Sequence, residues 1–453
     1  MGQLRERMAH HLPLHPRQSR PSPTGAQPAR PTTGPGCGGQ SRTMIPPPTR
    51  PPLEVADILR AYGEAYRARH PVLPEQATVM RRLAACRTAA LGGHVEACPG
   101  CGYRRIAYNS CRDRHCPKCQ AVKRAEWLES RLARLLPVHY FHVVFTLPKA
   151  LHLLVLGNRR SLYDRLFQAA SQTLLTLAAD PRRLGAHIGV TAILHTWGQN
   201  LCFHPHLHCV VTGGGLATDG SRWIATRPNY FLPVKVIGKM FRGKFLDGLK
   251  EAYHAGRLCL LGSLAALAEP KVFGRWLDRL YRQNWVTHAK RPFANAQRVF
   301  RYLGRYSHRV AIANSRLVSL EDGQVCFHWK DYRDESRVKL MCLSADEFLR
   351  RFLLHVLPPR FVRIRHYGLL AGRNVATKLA RCRQLLGEPA EPSPAWTTVL
   401  KTWAERVWEW TGQDPRYCPH CHARLIRQPL PRTLPASRPG GERLELVCGV
   451  DSS

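Results

Sequence analysis

The stretch HPHLHCVVTG, residues 204–213, places three histidines at every second position ahead of a run of strand-forming residues. On a β-strand alternate side chains share one face, so His206 and His208 point the same way while Leu207 points into a core. Two imidazoles held in this way are well placed to bind one divalent metal ion. The same pattern also occurs on a solvated strand face without any metal, so the pattern alone leaves both interpretations open.

Two classes of protein use alternating histidines on a strand. In histidine-triad hydrolases of nucleotides, His204, His206 and His208 would form the triad and one of them would act as the nucleophile. In HUH nucleases, named for a histidine–hydrophobic–histidine motif, the histidines hold a metal and a tyrosine on a separate helix attacks DNA. A tyrosine motif downstream of the histidines would favour the second class.

Such a motif is present. Tyr302 and Tyr306 are four residues apart, which puts them one turn apart on the same face of a helix. Residues 290–309 include six Lys or Arg and no acidic residue. Arginine neutralises a phosphate and lowers the cost of forming a phenolate, so the setting suits phosphodiester chemistry. An apolar stripe runs along the same helix, and by themselves the tyrosines are more typical of an ordinary core.

The charge of the whole chain indicates a polyanionic partner. The net charge over 453 residues is +37 at pH 7, far more than solubility requires, and nucleic acid is the commonest partner of such a chain. Residues 350–383 alone contain nine Lys or Arg and no acidic residue, which suggests a DNA-facing surface. The apolar runs are too short for a membrane-spanning helix, and residues 1–25 lack the apolar core of a secretory signal. We therefore expect a cytoplasmic protein with no membrane partner.

Two close cysteine pairs predict a structural zinc site. The spacing C-x2-C-x14-C-x2-C is typical of four cysteines around one Zn²⁺, which binds thiolates in a tetrahedron. The predicted ligands are Cys98, Cys101, Cys116 and Cys119. The surrounding residues are basic, so this zinc ribbon is expected to bind DNA.

Further cysteines leave the zinc count open. Cys111 and His115 lie between the two pairs and could replace a ligand or form a second site. Near the end of the chain, Cys418 and Cys421 form half of a possible second zinc site whose partner pair is not visible in the sequence.

Together these motifs resemble the bacterial rolling-circle insertion-sequence transposases, which combine an HUH motif, two catalytic tyrosines and a transposase zinc-binding domain. The resemblance covers roughly residues 53–425. The segments that carry it occur in the family's order: Cys116–Gln120, Phe141–Pro148, His195–Asn200, His204–Cys209, Phe241–Phe245, Ala289–Phe293, Tyr302–Tyr306 and Arg363–Gly368.

The resemblance implies an α+β fold. Its catalytic core would be an HUH-type antiparallel sheet flanked by helices, related to the RNA-recognition-motif topology, behind an N-terminal domain of helices and a zinc ribbon. His206 and His208 would hold Mg²⁺ or Mn²⁺, and Tyr302 and Tyr306 would be the nucleophiles.

The third metal ligand is not fixed by the motif. Gln199 is the first choice, because the HUH fold often supplies an amide or acid nearby, and His195 and His308 are its rivals. The basic residues around the tyrosines supply three candidate phosphate contacts: Lys290, Arg305 and Arg309.

The function implied is DNA transposition. Single-stranded DNA at the element ends and at the target would be cleaved through a 5′-phosphotyrosine, and host replication machinery would extend the free 3′-hydroxyl at the bacterial nucleoid. The alternative is a catalytically inactive derivative that still binds DNA through its zinc ribbon, since insertion sequences decay readily. A histidine-triad hydrolase would need neither the ribbon, nor the tyrosine pair, nor so high a charge.

Composition and hydrophobic pattern divide the chain into four parts. Residues 1–50 are rich in Pro and Arg and are expected to be a disordered extension. Within it, residues 1–43 are expected to have no functional role and to precede the true start at Met44. The zinc-binding, catalytic and C-terminal parts are expected at 51–135, 136–385 and 386–453. Helices are predicted at 121–136, 150–179, 234–255, 294–307 and 348–357, and strands at 141–147, 188–195, 207–212, 325–329 and 338–343.

Overall fold

The computed structural model describes residues 52–290, 311–332, 334–389, 401–430 and 445–446. The helices within these ranges are α1 (Val55–Arg69), α2 (Pro74–Ala84), α3 (Ala121–Leu132), α4 (His152–Gly157), α5 (Arg159–Ala179), α6 (Val234–His254), α7 (Pro270–Arg282), α8 (Ala345–Leu353), α9 (Ala380–Leu385) and α10 (Trp403–Thr411). The strands are β1 (Gly93–Ala97), β2 (Arg104–Tyr108), β3 (Tyr140–Thr146), β4 (Ala186–Trp197), β5 (Phe203–Ala217), β6 (Trp223–Ala225), β7 (Thr287–Lys290), β8 (Leu317–Glu321), β9 (Gln324–Asp331), β10 (Arg337–Ser344), β11 (Ile364–Gly368), β12 (Ile426–Leu430) and β13 (Glu445–Leu446).

A six-stranded sheet carries the histidine motif. Its order is β11-β4-β5-β3-β7, with β6 paired to β5, and every pairing in it is antiparallel. The long helices α5 and α6 pack on each other and on this sheet. An antiparallel sheet flanked by helices confirms the expected α+β class.

The two faces of the central sheet bury different residues. One face supplies the largest core, to which β3 contributes Phe145 and β5 contributes Leu207, packed against α5 and α6. The other face carries Tyr140, Ile193 and Val210, which pack against α3. Because side chains alternate along a strand, the histidines of β3, β4 and β5 stand on this second face.

The sequence pattern predicts a strand that ends before the three glycines at 213–215, but strand β5 continues through all three. A Cβ on Gly213 would lie 2.3 Å from the ring of His139, and one on Gly215 would lie 2.4 Å from the backbone oxygen of His187. Glycine inside a strand permits such a close approach of neighbouring chain. The glycine run is therefore a tightly packed part of the sheet, and the predicted strand end at this point is wrong.

Two smaller sheets complete the described part. The strands β8, β9 and β10 form an antiparallel sheet that shares a second core with α1, α2 and α8. The remaining strands form a sheet of order β12-β1-β2-β13, which combines early and late parts of the chain. None of the described helices is long and apolar enough to cross a membrane. The extension at 1–50 and the helix predicted at 294–307 lie outside the described residues.

Candidate metal centres

Three histidines converge on the second face of the central sheet. His206 and His208 come from β5, and His195 of β4 lies directly opposite His206 in the antiparallel register. One ring nitrogen from each of the three lies within 4.8 Å of the others. The Nε2 atoms of His206 and His208 are 3.1 Å apart, so the rings converge on a common point.

Neighbouring groups fix the orientation of two of these rings. The Nδ1 of His206 donates to the backbone oxygen of His204 at 2.6 Å. The lone pair of Nε2 is therefore the one available to bind a metal. The Nδ1 of His208 lies 2.8 Å from the Nε2 of His142 on β3, and the two rings are stacked. Such contacts from outside the ligand set are what orients metal-binding histidines.

Burial disfavours the charged form of two of the three histidines. Desolvation, with a further contribution from the nearby His204, lowers the pKa of His206 to about 3. Burial also lowers the pKa of His195 well below its ordinary value, and the neighbouring His206 adds to that effect. A neutral imidazole is the form that binds a metal, so His195 and His206 are suited to act as ligands.

The structure places His195, the rival of Gln199 for the third ligand position, beside the two β5 histidines. Gln199 lies in the turn after β4, where its side-chain amide contacts the hydroxyl of Tyr332 at 3.4 Å. His195, by contrast, is held within β4 beside both β5 histidines. The other rival, His308, lies outside the described residues.

The residues predicted for strand cleavage fall in the undescribed range 291–310. They are Tyr302, Tyr306, Arg305 and Arg309. The backbone of Lys290 ends β7, where it pairs in register with His142 of β3.

The two cysteine pairs that the sequence spacing assigns to one zinc site lie apart in the structure. Their thiols lie in two different clusters, and the prediction of one four-cysteine site from Cys98, Cys101, Cys116 and Cys119 is wrong. One cluster contains Cys86, Cys111, Cys116 and Cys119, and the other contains Cys98, Cys101, Cys418 and Cys421.

The first cysteine cluster lies in the second core, beside α2. The Sγ of Cys116 is 3.6 Å from that of Cys86, and the Sγ of Cys111 is 3.7 Å from that of Cys119. The backbone N–H of Cys111 donates to the Sγ of Cys86, and hydrogen bonds from Cys111 and Cys116 lower the pKa of the Cys119 thiol. Sequence reasoning missed Cys86 as a ligand, because it stands alone at the end of a helix without a second cysteine nearby.

His115, proposed as an alternative ligand in this loop, has a different role. Its Nδ1 donates to Asp113 at 2.8 Å, and its Nε2 accepts the backbone N–H of Leu357 at 3.2 Å. This buried histidine therefore connects the cysteine loop to the segment that follows α8.

A basic cleft opens beside His115. Its volume is about 850 Å³, and both the helix α2 and the segment before β11 line it. The cationic residues on its wall are Arg82, Arg112, Arg114, Lys123, Arg360 and Arg363, and the acidic ones are Glu75 and Asp113. An excess of guanidinium groups around a cleft favours a phosphate-bearing ligand.

Part of the basic stretch at 350–383 has structural partners instead. Arg383 is buried and donates to the backbone oxygens of Ala133 and Leu135. Arg350 and Arg351 both bind Glu347. The positive charge of this stretch is therefore divided between the cleft and the packing of the fold.

Comparison with known proteins defines the class of the chain. Residues 58–147 match the family model described as a transposase zinc-binding domain, and residues 189–378 match the one described as a putative transposase. The chain is 56% identical to a putative transposase of Sinorhizobium fredii over 370 residues, 82% of this chain and 93% of that protein. It is 30% identical over 355 residues to the transposase of insertion sequence element IS801 of Pseudomonas savastanoi pv. phaseolicola, which covers 78% of this chain and 83% of that protein. No solved structure matches it.

The protein is thus a transposase with a zinc-binding domain. More narrowly, the chain belongs to the IS91 family of rolling-circle insertion-sequence transposases, as its motifs indicated. Its histidine cluster lies within the part matched as transposase, and the cluster around Cys86 lies within the part matched as zinc-binding.

Proposed function

We propose that the protein cleaves and rejoins single-stranded DNA at the ends of its element and at the target through a covalent link to tyrosine. The phenolate oxygen of Tyr302 or Tyr306 bonds to the scissile phosphorus, and the bond from phosphorus to the 3′ oxygen breaks. The phenol loses its proton, the departing oxygen gains one as a free 3′-hydroxyl, and a 5′-phosphotyrosine remains. Attack by a 3′-hydroxyl on that link joins the strands and releases the tyrosine. One phosphoester replaces another at each step, so ATP is not consumed.

The proposed catalytic metal ligands are His195, His206 and His208. When bound, a divalent cation would polarise the scissile phosphate. The neutral, oriented imidazoles fit a divalent ion, and of the two expected ions Mn²⁺ suits them better, since Mg²⁺ prefers oxygen ligands. His142 and the backbone oxygen of His204 would hold two of the rings for that purpose.

The chain on either side of the tyrosine segment supports its place in this chemistry. The segment begins after Lys290, which pairs with His142, the residue whose ring contacts His208. The first described residue after the segment is Ala311, which belongs to the second core. Trp197 packs against the same core and stacks on His195 with ring centroids 4.7 Å apart. The start of the undescribed segment therefore lies next to the histidine cluster, and the core that follows the segment contacts His195 through Trp197.

DNA is the proposed ligand of the basic surfaces. The cleft lined by Arg82, Arg114 and Lys123 is a candidate path for the sugar–phosphate backbone, and Lys290, Arg305 and Arg309 are proposed phosphate contacts at the cleavage site. We assign zinc-dependent recognition of element ends to residues 51–135 and strand cleavage to residues 136–385. Host replication would extend the free 3′-hydroxyl at the nucleoid of the bacterial cytoplasm.

A covalent-adduct assay tests the proposal. The full chain is incubated with labelled single-stranded DNA from the element ends and Mn²⁺, then separated under denaturing conditions. A labelled protein–DNA adduct is expected, and it should be absent from the Tyr302→Phe/Tyr306→Phe double variant. Tyr230→Phe, at an exposed tyrosine outside the motif, is the matched control and should form the adduct.

Two results would contradict the proposal. An adduct that persists in the double variant would remove the tyrosines from their assigned role. DNA binding without any adduct would favour the alternative of a catalytically inactive DNA-binding derivative.

A further inference from the structure

Two cysteine pairs from opposite ends of the chain face each other beside β1. The Sγ of Cys98 is 3.3 Å from that of Cys421, and the Sγ of Cys101 is 3.5 Å from that of Cys418. We propose that these four thiolates bind a second structural Zn²⁺, distinct from the cluster at Cys86, and that this zinc joins the C-terminal tail to the N-terminal zinc-binding domain. The proposal does not depend on the strand-cleavage chemistry.

The backbone has the same arrangement in the two pairs. In the first, the N–H of Cys98 donates to the backbone oxygen of Tyr103, and the N–H of Gly102 donates to the backbone oxygen of Cys98. In the second, the N–H of Cys418 donates to the oxygen of Ala423, and the N–H of His422 donates to the oxygen of Cys418. The residue after each second cysteine has a positive φ, +74° at Gly102 and +59° at His422. Each pair therefore lies on the same kind of tight turn, known as a zinc knuckle. A four-cysteine zinc ribbon requires two such turns.

The sulfur distances favour a metal over disulfides. A disulfide holds its sulfurs about 2.05 Å apart, well short of either contact here. Zinc–sulfur bonds of about 2.3 Å in a tetrahedron separate the sulfurs by about 3.8 Å. All four sulfurs lie within 4.8 Å of one another, which is the spacing of a tetrahedron that needs only small adjustment.

The sheet next to the two cysteine pairs combines strands from early and late parts of the chain. Strand β12 pairs antiparallel with β1, from Gly93 opposite Leu430 to Ala97 opposite Ile426. The buried Glu96 of β1 binds Arg105 of β2 and Arg427 of β12, so one carboxylate connects three strands.

The apolar core beneath this sheet is small. Its buried members are Cys98, Cys418 and Leu425, with Tyr103 and Ala423 packed against them. Two of its three buried members are themselves zinc-ligand candidates. A module with so little core depends on metal for its stability, as small zinc ribbons do.

A zinc ion at this site would extend the zinc-binding domain to the C-terminal tail. The matched domain, residues 58–147, contains Cys98 and Cys101 but neither of their partners. The tail at 401–430 would therefore be a structural part of that domain, and removing it would leave half a site.

Zinc counting in cysteine variants of the full chain tests the proposal. Cys98→Ser/Cys101→Ser and Cys418→Ser/Cys421→Ser should each lose one equivalent of zinc relative to the unchanged chain, measured by plasma mass spectrometry. The quadruple variant should also lose only one, because both pairs serve the same ion. Cys202→Ser/Cys259→Ser, at two exposed thiols outside the clusters, is the matched control and should lose none.

Two outcomes would overturn the proposal. Loss of two equivalents in the quadruple variant would assign the pairs to separate ions, and unchanged zinc in the Cys418→Ser/Cys421→Ser variant would exclude the tail from any zinc site.

Alkylation of the unchanged chain covers the case in which variants fail to fold. Cys101 and Cys421 are exposed, so burial would not protect them from iodoacetamide, whereas a bound metal would. Peptide mass spectrometry should find both protected until a zinc chelator is added, with Cys259 reacting throughout. Reaction of Cys421 at the rate of Cys259 before chelation would overturn the proposal.

Discussion

The histidine cluster and the cysteine cluster at Cys98 are built in opposite ways. His206 and His208 lie two residues apart on one strand, and His195 lies opposite them on the next, all within the largest sheet. The thiols of Cys101 and Cys418 meet although 317 residues separate them, over a core with few buried side chains. In the first case hydrogen bonding and packing hold the ligands together, and in the second the ligands themselves make up much of the core.

This difference separates two uses of metal. A site held by a sheet keeps its shape without the ion, so its metal is free to serve chemistry and to exchange. A site whose core consists largely of its own ligands gains its folding free energy from the ion. Variants at the two kinds of metal site, and at the ion pair that docks the tail, would show how each is held.

Removing one ligand should affect the two kinds of site differently. Cys418→Ser should release one zinc and lower the free energy of unfolding of its part of the chain by about 5 kcal/mol or more, since zinc binding in such sites contributes most of the folding free energy. His208→Ala should abolish cleavage but lower the free energy of unfolding by no more than about 2 kcal/mol, because the sheet remains. Urea unfolding followed by circular dichroism measures both. Equal losses of stability in the two variants would contradict the contrast.

His142→Ala tests whether a neighbouring strand helps to position the histidine cluster. The ring of His142 holds His208 from a neighbouring strand, and loss of such a contact typically lowers metal affinity about 10- to 100-fold. Titration of the full chain with Mn²⁺, following the electron paramagnetic resonance of the free ion, measures the change. His187→Ala, near the other end of β4, is the control and should bind as the unchanged chain does. Unaltered affinity in His142→Ala would show that the sheet alone positions the ring.

The smallest effect concerns a protein contact that helps to dock the tail. Arg406 of α10 is 1% exposed, and Glu129 of α3 binds it through two bonds of 2.7 and 3.0 Å. Glu129→Gln leaves that buried charge with a neutral partner, and we expect a loss of about 1 to 2 kcal/mol, less than for a fully buried pair because Glu129 is partly exposed. Urea unfolding compares it with Glu126→Gln on the same helix. Identical stability in the two variants would show that tail docking does not depend on this ion pair.

Alternation of side chains made the central strands predictable. The residue patterns at 141–147 and 204–213 predict two of the central strands, and they also predict that His206 and His208 share one face. The third position was open because it depends on the register between β4 and β5, and register is set by packing rather than by distance along the chain. Gln199 and His195 are close in sequence, but only the strand pairing brings His195 opposite His206.

Cysteine spacing predicted the knuckles but not their partners. A C-x2-C pair reports the local turn that presents two thiols, and any second pair satisfies the same chemistry. Which pair completes the tetrahedron depends on the tertiary fold, here on the pairing of β1 with β12. Cys86 carried no local signal at all, because a lone cysteine at a helix end resembles any buried apolar residue.

The pairing of β1 with β12 also orders events during synthesis. Cys101 leaves the ribosome 317 residues before Cys418, a delay of about 15 to 60 s at bacterial elongation rates of about 5 to 20 residues per second. The sheet that holds the histidines is complete in sequence well before β12 exists, so it can fold first. The newly made chain therefore passes through a stage in which the sheet that holds the histidines can be assembled, while the sheet that pairs β1 with β12 still lacks one of its strands.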